Sequence, residues 1–253
     1  MMWVWALVGC ELAEIRNQLE GLTTPLVMEG LMLGIAEPMD ERIDLSGLDR
    51  YDPGANLTIF LADASNANEL DNALVSGAMV TASVGAGDVD VPEQQDGLYA
   101  VLPPTDLEYE PMQTLDVEAV LSNRTGTGQL ELPEGAGLSA FEAHPVDTPL
   151  PIDVSGRGYT GTLIVVIDTT TGDVTYSNEP EGAREIYDLT RGRTEVTSVT
   201  VPAEAFPAES VYALGFAGLV HTRSEDFDGF NTLLSGILAG QLQFQPVVTV
   251  PLP

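Results

Sequence analysis

Apolar residues in this chain fall in short runs separated by turn residues, the pattern of strands rather than helices. Leu26–Leu33 is the first such run, and Pro53-Gly54 introduces a second in which Leu57, Ile59 and Leu61 share one face at period two. Gly77–Val84 follows, then Tyr99–Leu102 after the Asp96-Gly97 turn. Val117, Ala119 and Leu121 alternate with Asp116, Glu118 and Ser122, which predicts a strand with one wet face. The stretch from Ser122 to Gly137 is rich in Gly, Thr and Pro and reads as a boundary. Beyond it, Leu163–Ile167 is a continuous apolar run, expected to be central and buried on both faces. The loop Asp168–Asp173 turns it back through Val174-Thr175-Tyr176 as a hairpin. Alternation over 196–201 and the run Val211–Val220 predict two more strands, and Pro246–Pro253 reads as a Val-rich strand at a sheet edge.

Two segments carry helical spacing instead. Leu12, Ile15, Leu19 and Leu22 recur at intervals of three and four, with Glu11 and Glu14 placed to favour a helix N-terminus. Gly21 and Thr23-Thr24-Pro25 stop that helix, so residues 10–24 are expected to form a helical tether. Phe230–Leu242 shows Leu233, Leu234, Ile237 and Leu238 at helical spacing and is expected to form a short helix despite its two glycines. The pattern therefore predicts a mainly β fold after a short N-terminal helix, divided into two tandem domains, residues 25–125 and 126–253.

Composition narrows the classes. The chain has 253 residues, 44% of them hydrophobic, enough to build a core. No apolar run reaches the about 18 residues a membrane-spanning helix needs. Nine basic residues, all Arg, face 39 acidic ones, for a net charge of −30. Nucleic acid is a poor partner for such a surface, because phosphate binding needs basic clusters. The same charge opposes compaction at low ionic strength and is screened by salt. A single Cys excludes an internal disulfide framework and a multi-cysteine metal site.

That cysteine closes the apolar opening Met1-Met2-Trp3-Val4-Trp5-Ala6-Leu7-Val8-Gly9-Cys10, which is followed at once by Glu11. Leu7-Val8-Gly9-Cys10 resembles the lipobox of bacterial lipoproteins. The resemblance implies a signal segment over residues 1–9, cleavage before Cys10, and lipidation of the Cys10 thiol. It further implies a protein held by its acyl chains at a bilayer, with Glu11 favouring the outer membrane of the cell envelope. A second likeness rests on Gly77-Ala78-Met79-Val80-Thr81-Ala82 and Asp96-Gly97-Leu98-Tyr99-Ala100. These resemble carboxypeptidase-regulatory-like (transthyretin-like) modules, small Ig-like sandwiches; the resemblance implies that the two domains, 25–125 and 126–253, are tandem Ig-like β-sandwich domains, and it implies a structural or binding module without catalytic residues.

Candidate chemistry is sparse. His144, next to Pro145, and His221, at the end of a predicted strand, lie beside no nucleophile elbow, and both read as surface residues without a catalytic role. Carboxylate pairs, which an acid–base hydrolase would need, arise by chance among so many acids. Oxygen-rich loops suit Ca²⁺. One holds Asp88, Asp90, Glu93 and Asp96, and the other Ser224, Glu225, Asp226, Asp228 and Asn231. Neither has EF-hand spacing. The expected function is thus a non-catalytic structural or binding role at the envelope, with an envelope protein or polysaccharide as partner. The alternative is a secreted or surface Ca²⁺- or carbohydrate-binding module. With Trp3 and Trp5 the only tryptophans, stacking on sugars has little to draw on.

Overall fold

The structure, a computed structural model, describes residues 26–63, 73–85, 87–122, 124–180, 182–191, 194–222 and 224–251. The signal segment, the helical tether and Cys10 lie outside the described residues. The first half contains β1 (Leu26–Ile35), β2 (Gly54–Asp63), β3 (Met79–Val84), β4 (Asp88–Asp90), β5 (Glu93–Gln95), β6 (Leu98–Val101), β7 (Thr114–Leu121) and β8 (Arg124–Glu131). The second contains β9 (His144–Pro145), β10 (Leu150–Asp153), β11 (Gly161–Asp168), β12 (Val174–Ser177), the helix α1 (Ala183–Arg191) and β13 (Ser198–Val201). It ends with β14 (Val211–His221), β15 (Phe227–Asp228) and β16 (Gly236–Val250).

The expectation of a mainly β fold holds. Among the described residues the strands form a nine-stranded sheet, ordered β12-β11-β14-β16-β1-β2-β6-β5 with β9 beside the end of β16. A five-stranded sheet, β15-β8-β7-β3-β4, and the pair β10-β13 complete the architecture. Alternation along each strand sends side chains to opposite faces of the large sheet. Met28, Met32, Leu57, Ile59, Leu61, Ile237 and Ala239 pack on Val80, Ala82, Leu115, Val117 and Ala119 of the five-stranded sheet, a face-to-face sandwich. Further along, Ile164, Val166, Leu214, Phe216 and Val247 pack on Leu150, Ile152 and Val201 of β10-β13. The opposite face buries Leu31, Leu33, Val165, Ile167, Leu238 and Phe244 beneath Ile186 of α1 and Ile43, Leu45 and Tyr51 of the β1–β2 connection. Burial on both faces explains why β1, β11 and β14 read as nearly unbroken apolar runs. Each fully buried Leu, Ile or Val contributes about 1.5–3 kcal/mol relative to exposure.

Three expectations need correction. The boundary at 125/126 cuts through β8, which pairs with β7 over its whole length, Thr114↔Glu131 to Leu121↔Arg124. Strands from both sides of that boundary also share the large sheet, because β1 runs parallel to β16 from Glu29↔Gly236 to Ile35↔Leu242. The division into 25–125 and 126–253 therefore does not describe the architecture. The Gly- and Thr-rich composition that reads as a boundary serves close packing: a Cβ at Gly126 would enter the Phe230 ring, and one at Gly128 would meet Phe227 at 2.8 Å.

Phe230–Leu242 is not a helix. Residues 230–235 turn, and Gly236 begins the longest of the described strands. Its apolar residues are close-spaced because they serve both faces of a central strand, which periodicity alone cannot distinguish from a helix. Gly240 sits where a Cβ would stand 2.6 Å from the Gly218 carbonyl oxygen. Pro246 and the valines after it are the last third of β16, paired to β14 by Ala213↔Pro246 and to β9 by Thr249↔His144, and not a separate edge strand. Among the described residues the α-helix that forms is α1, which turns Ile186 toward the core and is not legible in the apolar spacing.

Candidate functional site

Strand β7 alternates strictly: Leu115, Val117 and Ala119 point into the sandwich, whereas Asp116 and Glu118 are exposed. The five-stranded sheet thus buries one face and leaves the other in solvent. Register assembles the wet face into two rows. Thr81 stands opposite Asp90 on one side and Glu118 on the other, and Glu118 is opposite Thr127. Ser83 likewise stands between Asp88 and Asp116, and Asp116 is opposite Gln129. Gln129 Nε2 donates to Asp116 Oδ1 at 2.5 Å, tying β8 to β7 across the face. These side chains line a shallow cleft of about 300 Å³ floored by Ala82 and Val117. Its walls are carboxylates, hydroxyls and one carboxamide, a surface of acceptors with a few donors.

Two of the predicted calcium ligands, Asp88 and Asp90, belong to this face, but the sheet holds them apart from Asp116 and Glu118. Strand β3 lies between, so the carboxylates are separated by about two strand spacings, roughly 10 Å. A calcium ion needs oxygens at about 2.3–2.6 Å. Among the described residues no group of three His, Cys, Asp or Glu side chains converges to hold a metal ion.

The remaining predicted ligands have structural occupations. Glu93 accepts from the Gly77 amide at 3.0 Å and the Gly97 amide at 3.1 Å, and these bonds hold its carboxyl below the usual carboxylate range. Asp96 occupies the turn that Glu93 braces. Asp228 accepts from the Gly229 amide at 2.9 Å, and Asp226 lies in the short turn before β15. Asn231 Oδ1 accepts from the amides of Leu233 and Leu234 at 3.1 and 3.2 Å, closing the turn that leads into β16.

The histidines are not brought together. His144 is buried rather than at the surface. It stacks edge-on against Phe206 at 5.1 Å, with Nε2 2.8 Å from the Thr148 carbonyl oxygen. His221 ends β14, opposite Leu238. The sequence does not single out Thr127 and Gln129, because their segment reads as a domain boundary. The signal was present in the alternation of Thr125, Thr127 and Gln129 with Gly126, Gly128 and Leu130.

No protein-family model matches the sequence, and no curated protein matches it. Among solved structures, the chicken CNTN1 FN1–FN3 domains are similar at 10% identity and a TM-score of 0.21, with 79% of this chain covered. The match spans 64% of that chain. A likeness of this size carries no argument, and the sandwich architecture rests on the sheets described above.

Proposed function

We propose that this chain is a lipid-anchored protein of a bacterial cell envelope, outer membrane by the residue after its cysteine, with a non-catalytic structural or binding role. The observation that carries the reading is Leu7-Val8-Gly9-Cys10, an apolar opening closed by a small residue and the chain's one cysteine. A surface of net charge −30 supports it, since such a body gains nothing from anionic headgroups and needs a covalent lipid to stay at a bilayer. In this reading the wet face of the five-stranded sheet is a rigid recognition surface offered to an envelope protein or polysaccharide.

Intact-mass analysis of protein from the membrane fraction tests the anchor. Wild type is expected to carry a lipid-sized increment on Cys10 and to remain with membranes, and Cys10→Ser to lose both. Identical masses together with a soluble wild type end the reading.

A second reading, a surface module that binds carbohydrate without an anchor, draws on the cleft between Asp88, Ser83, Asp116 and Gln129. Its hydroxyl, carboxylate and amide groups match the alternating donors and acceptors of a polyol. Glycan binding lost in Ser83→Ala with Gln129→Ala, but retained in Cys10→Ser, would favour it.

A further inference from the structure

The dipeptide Asp-Gly occurs twice in the chain, at Asp96-Gly97 and Asp228-Gly229. It is chemically weak for a local reason: glycine carries no side chain to shield its amide nitrogen, so that nitrogen can reach the carboxyl carbon of the aspartate before it. By sequence the two sites are equivalent. Their surroundings are alike too, since both aspartates are exposed and both glycines lie in the left-handed region, at φ 70° and 71°. What separates them is where each glycine amide points. Gly97 N donates to Glu93 Oε1 at 3.1 Å, a different carboxylate. Gly229 N donates to Oδ1 of Asp228 itself at 2.9 Å. The Gly229 nitrogen therefore rests against the carboxyl group of its own aspartate, and the neighbouring strand keeps it there. Asp228 pairs with Thr127, and a Cβ on Gly229 would enter the Thr125 carbonyl oxygen, so this backbone is pressed flat on β8.

We infer that Asp228 is a site of spontaneous isoaspartate formation and that Glu93 protects Asp96 from the same reaction. In the first step Gly229 N bonds to Asp228 Cγ and a Cγ–O bond breaks. The oxygen leaves as water, carrying the amide proton and the proton of the carboxylic acid, and a five-membered imide closes. Water then opens the imide. Attack at Cγ restores aspartate, whereas attack at the backbone carbonyl carbon leaves the chain running through Cβ and Cγ. Nothing is oxidised or reduced, and water is the co-reactant. Holding nucleophile and electrophile in contact is the proximity contribution to such a ring closure. At Asp96 the step must begin by breaking the bond from Gly97 to Glu93. The product has a structural consequence, because it lengthens the backbone by one carbon between Phe227 and Phe230. Both rings are buried in the sandwich core, over Gly128 and Gly126 of β8. Conversion thus loosens β15, the edge strand of the five-stranded sheet beside Thr127.

The test is to hold the full-length protein, folded, in heavy-oxygen water at physiological temperature. Each turn through the imide leaves one heavy oxygen at the aspartate, and electron-transfer fragmentation distinguishes isoaspartate from aspartate. Trypsin places the two sites in separate peptides, 51–124 and 224–253. Label and isoaspartate at Asp228 are expected to exceed those at Asp96 by about tenfold in the folded protein, and the two sites to convert at similar rates in urea. Asp228→Glu, one methylene longer, should silence position 228 and leave Asp96 as it was. Glu93→Ala frees the Gly97 amide and should raise conversion at Asp96. Equal conversion of the two sites in the folded protein, or a ratio that unfolding leaves unchanged, overturns the assignment of Asp228. No rise at Asp96 in Glu93→Ala overturns the protection.

Discussion

The ring of Tyr159 occupies the space that a side chain at Gly218 would need. Gly218 lies on β14, opposite Thr162 of β11, so the tyrosine lies directly over the strand backbone. Gly218→Ala forces the ring or the strand to shift, and overpacking of this kind costs about 1–3 kcal/mol. Urea unfolding should show a lower midpoint with an unchanged slope. An unaltered midpoint would mean that the ring moves freely, contrary to its buried position.

Glu93 braces two turns at once through the amides of Gly77 and Gly97. Because its carboxyl is held below the ordinary range, its contribution to stability is present above the unfolded glutamate pKa and is lost as pH falls through the folded value. Glu93→Gln keeps the shape and removes the charge. Amide exchange should then accelerate at Gly77 and Gly97 while β7 and β11 keep their protection. Uniform acceleration across the molecule would assign Glu93 a global role instead.

Tyr51 and Tyr109 are both pushed well above the usual phenol range. Burial is the main cause for each, reinforced at Tyr51 by the negative charge of Glu179, whose carboxylate accepts its hydroxyl at 2.9 Å. The folded phenols thus hold their protons after the unfolded ones begin to lose them. Stability from this source is complete below about pH 10 and declines above it, by about 1.4 kcal/mol per pH unit for each tyrosine. Denaturation midpoints measured from pH 8 to 11 should bend downward near pH 10. In the Tyr51→Phe, Tyr109→Phe double variant the bend should be shallower, and a bend of unchanged steepness would sink the assignment.

Repulsion among the 39 acidic residues is screened by salt, so NaCl should raise the melting temperature. A gain of about 1 kcal/mol corresponds to roughly 2–4 °C for a chain of this size. Asp116→Asn with Glu118→Gln removes two like charges that are neighbours on one face of β7 and should reduce the salt response. A melting temperature flat across the titration would show that the charges are too dispersed to oppose folding.

Much of the sheet was legible before its partners were known. Leu57, Ile59 and Leu61 all reach the core as their alternation requires, and Leu163–Ile167 is buried on both faces. Asp116 and Glu118 are exposed as the β7 pattern demands. The candidate face was legible only in pieces. Asp88, Asp90, Asp116 and Glu118 each read as outward or loop acids, but nothing in their spacing says that β3 separates one pair from the other. Thr127 and Gln129 were hidden by glycines whose role is to admit Phe227 and Phe230.

The sequence by itself determined which residues are strand-like, which faces are wet, and that an acidic body follows a lone cysteine. Those are local properties, set by side-chain period and charge. Only the tertiary structure decided that β1 joins β16, bringing Met28 and Ser235 together across 207 positions. It likewise made a glycine-rich apolar stretch a central strand and not a helix. The reason is physical: a strand's hydrogen bonds lie on neighbouring chain segments, so its partner and register are properties of the assembled sheet and not of the strand.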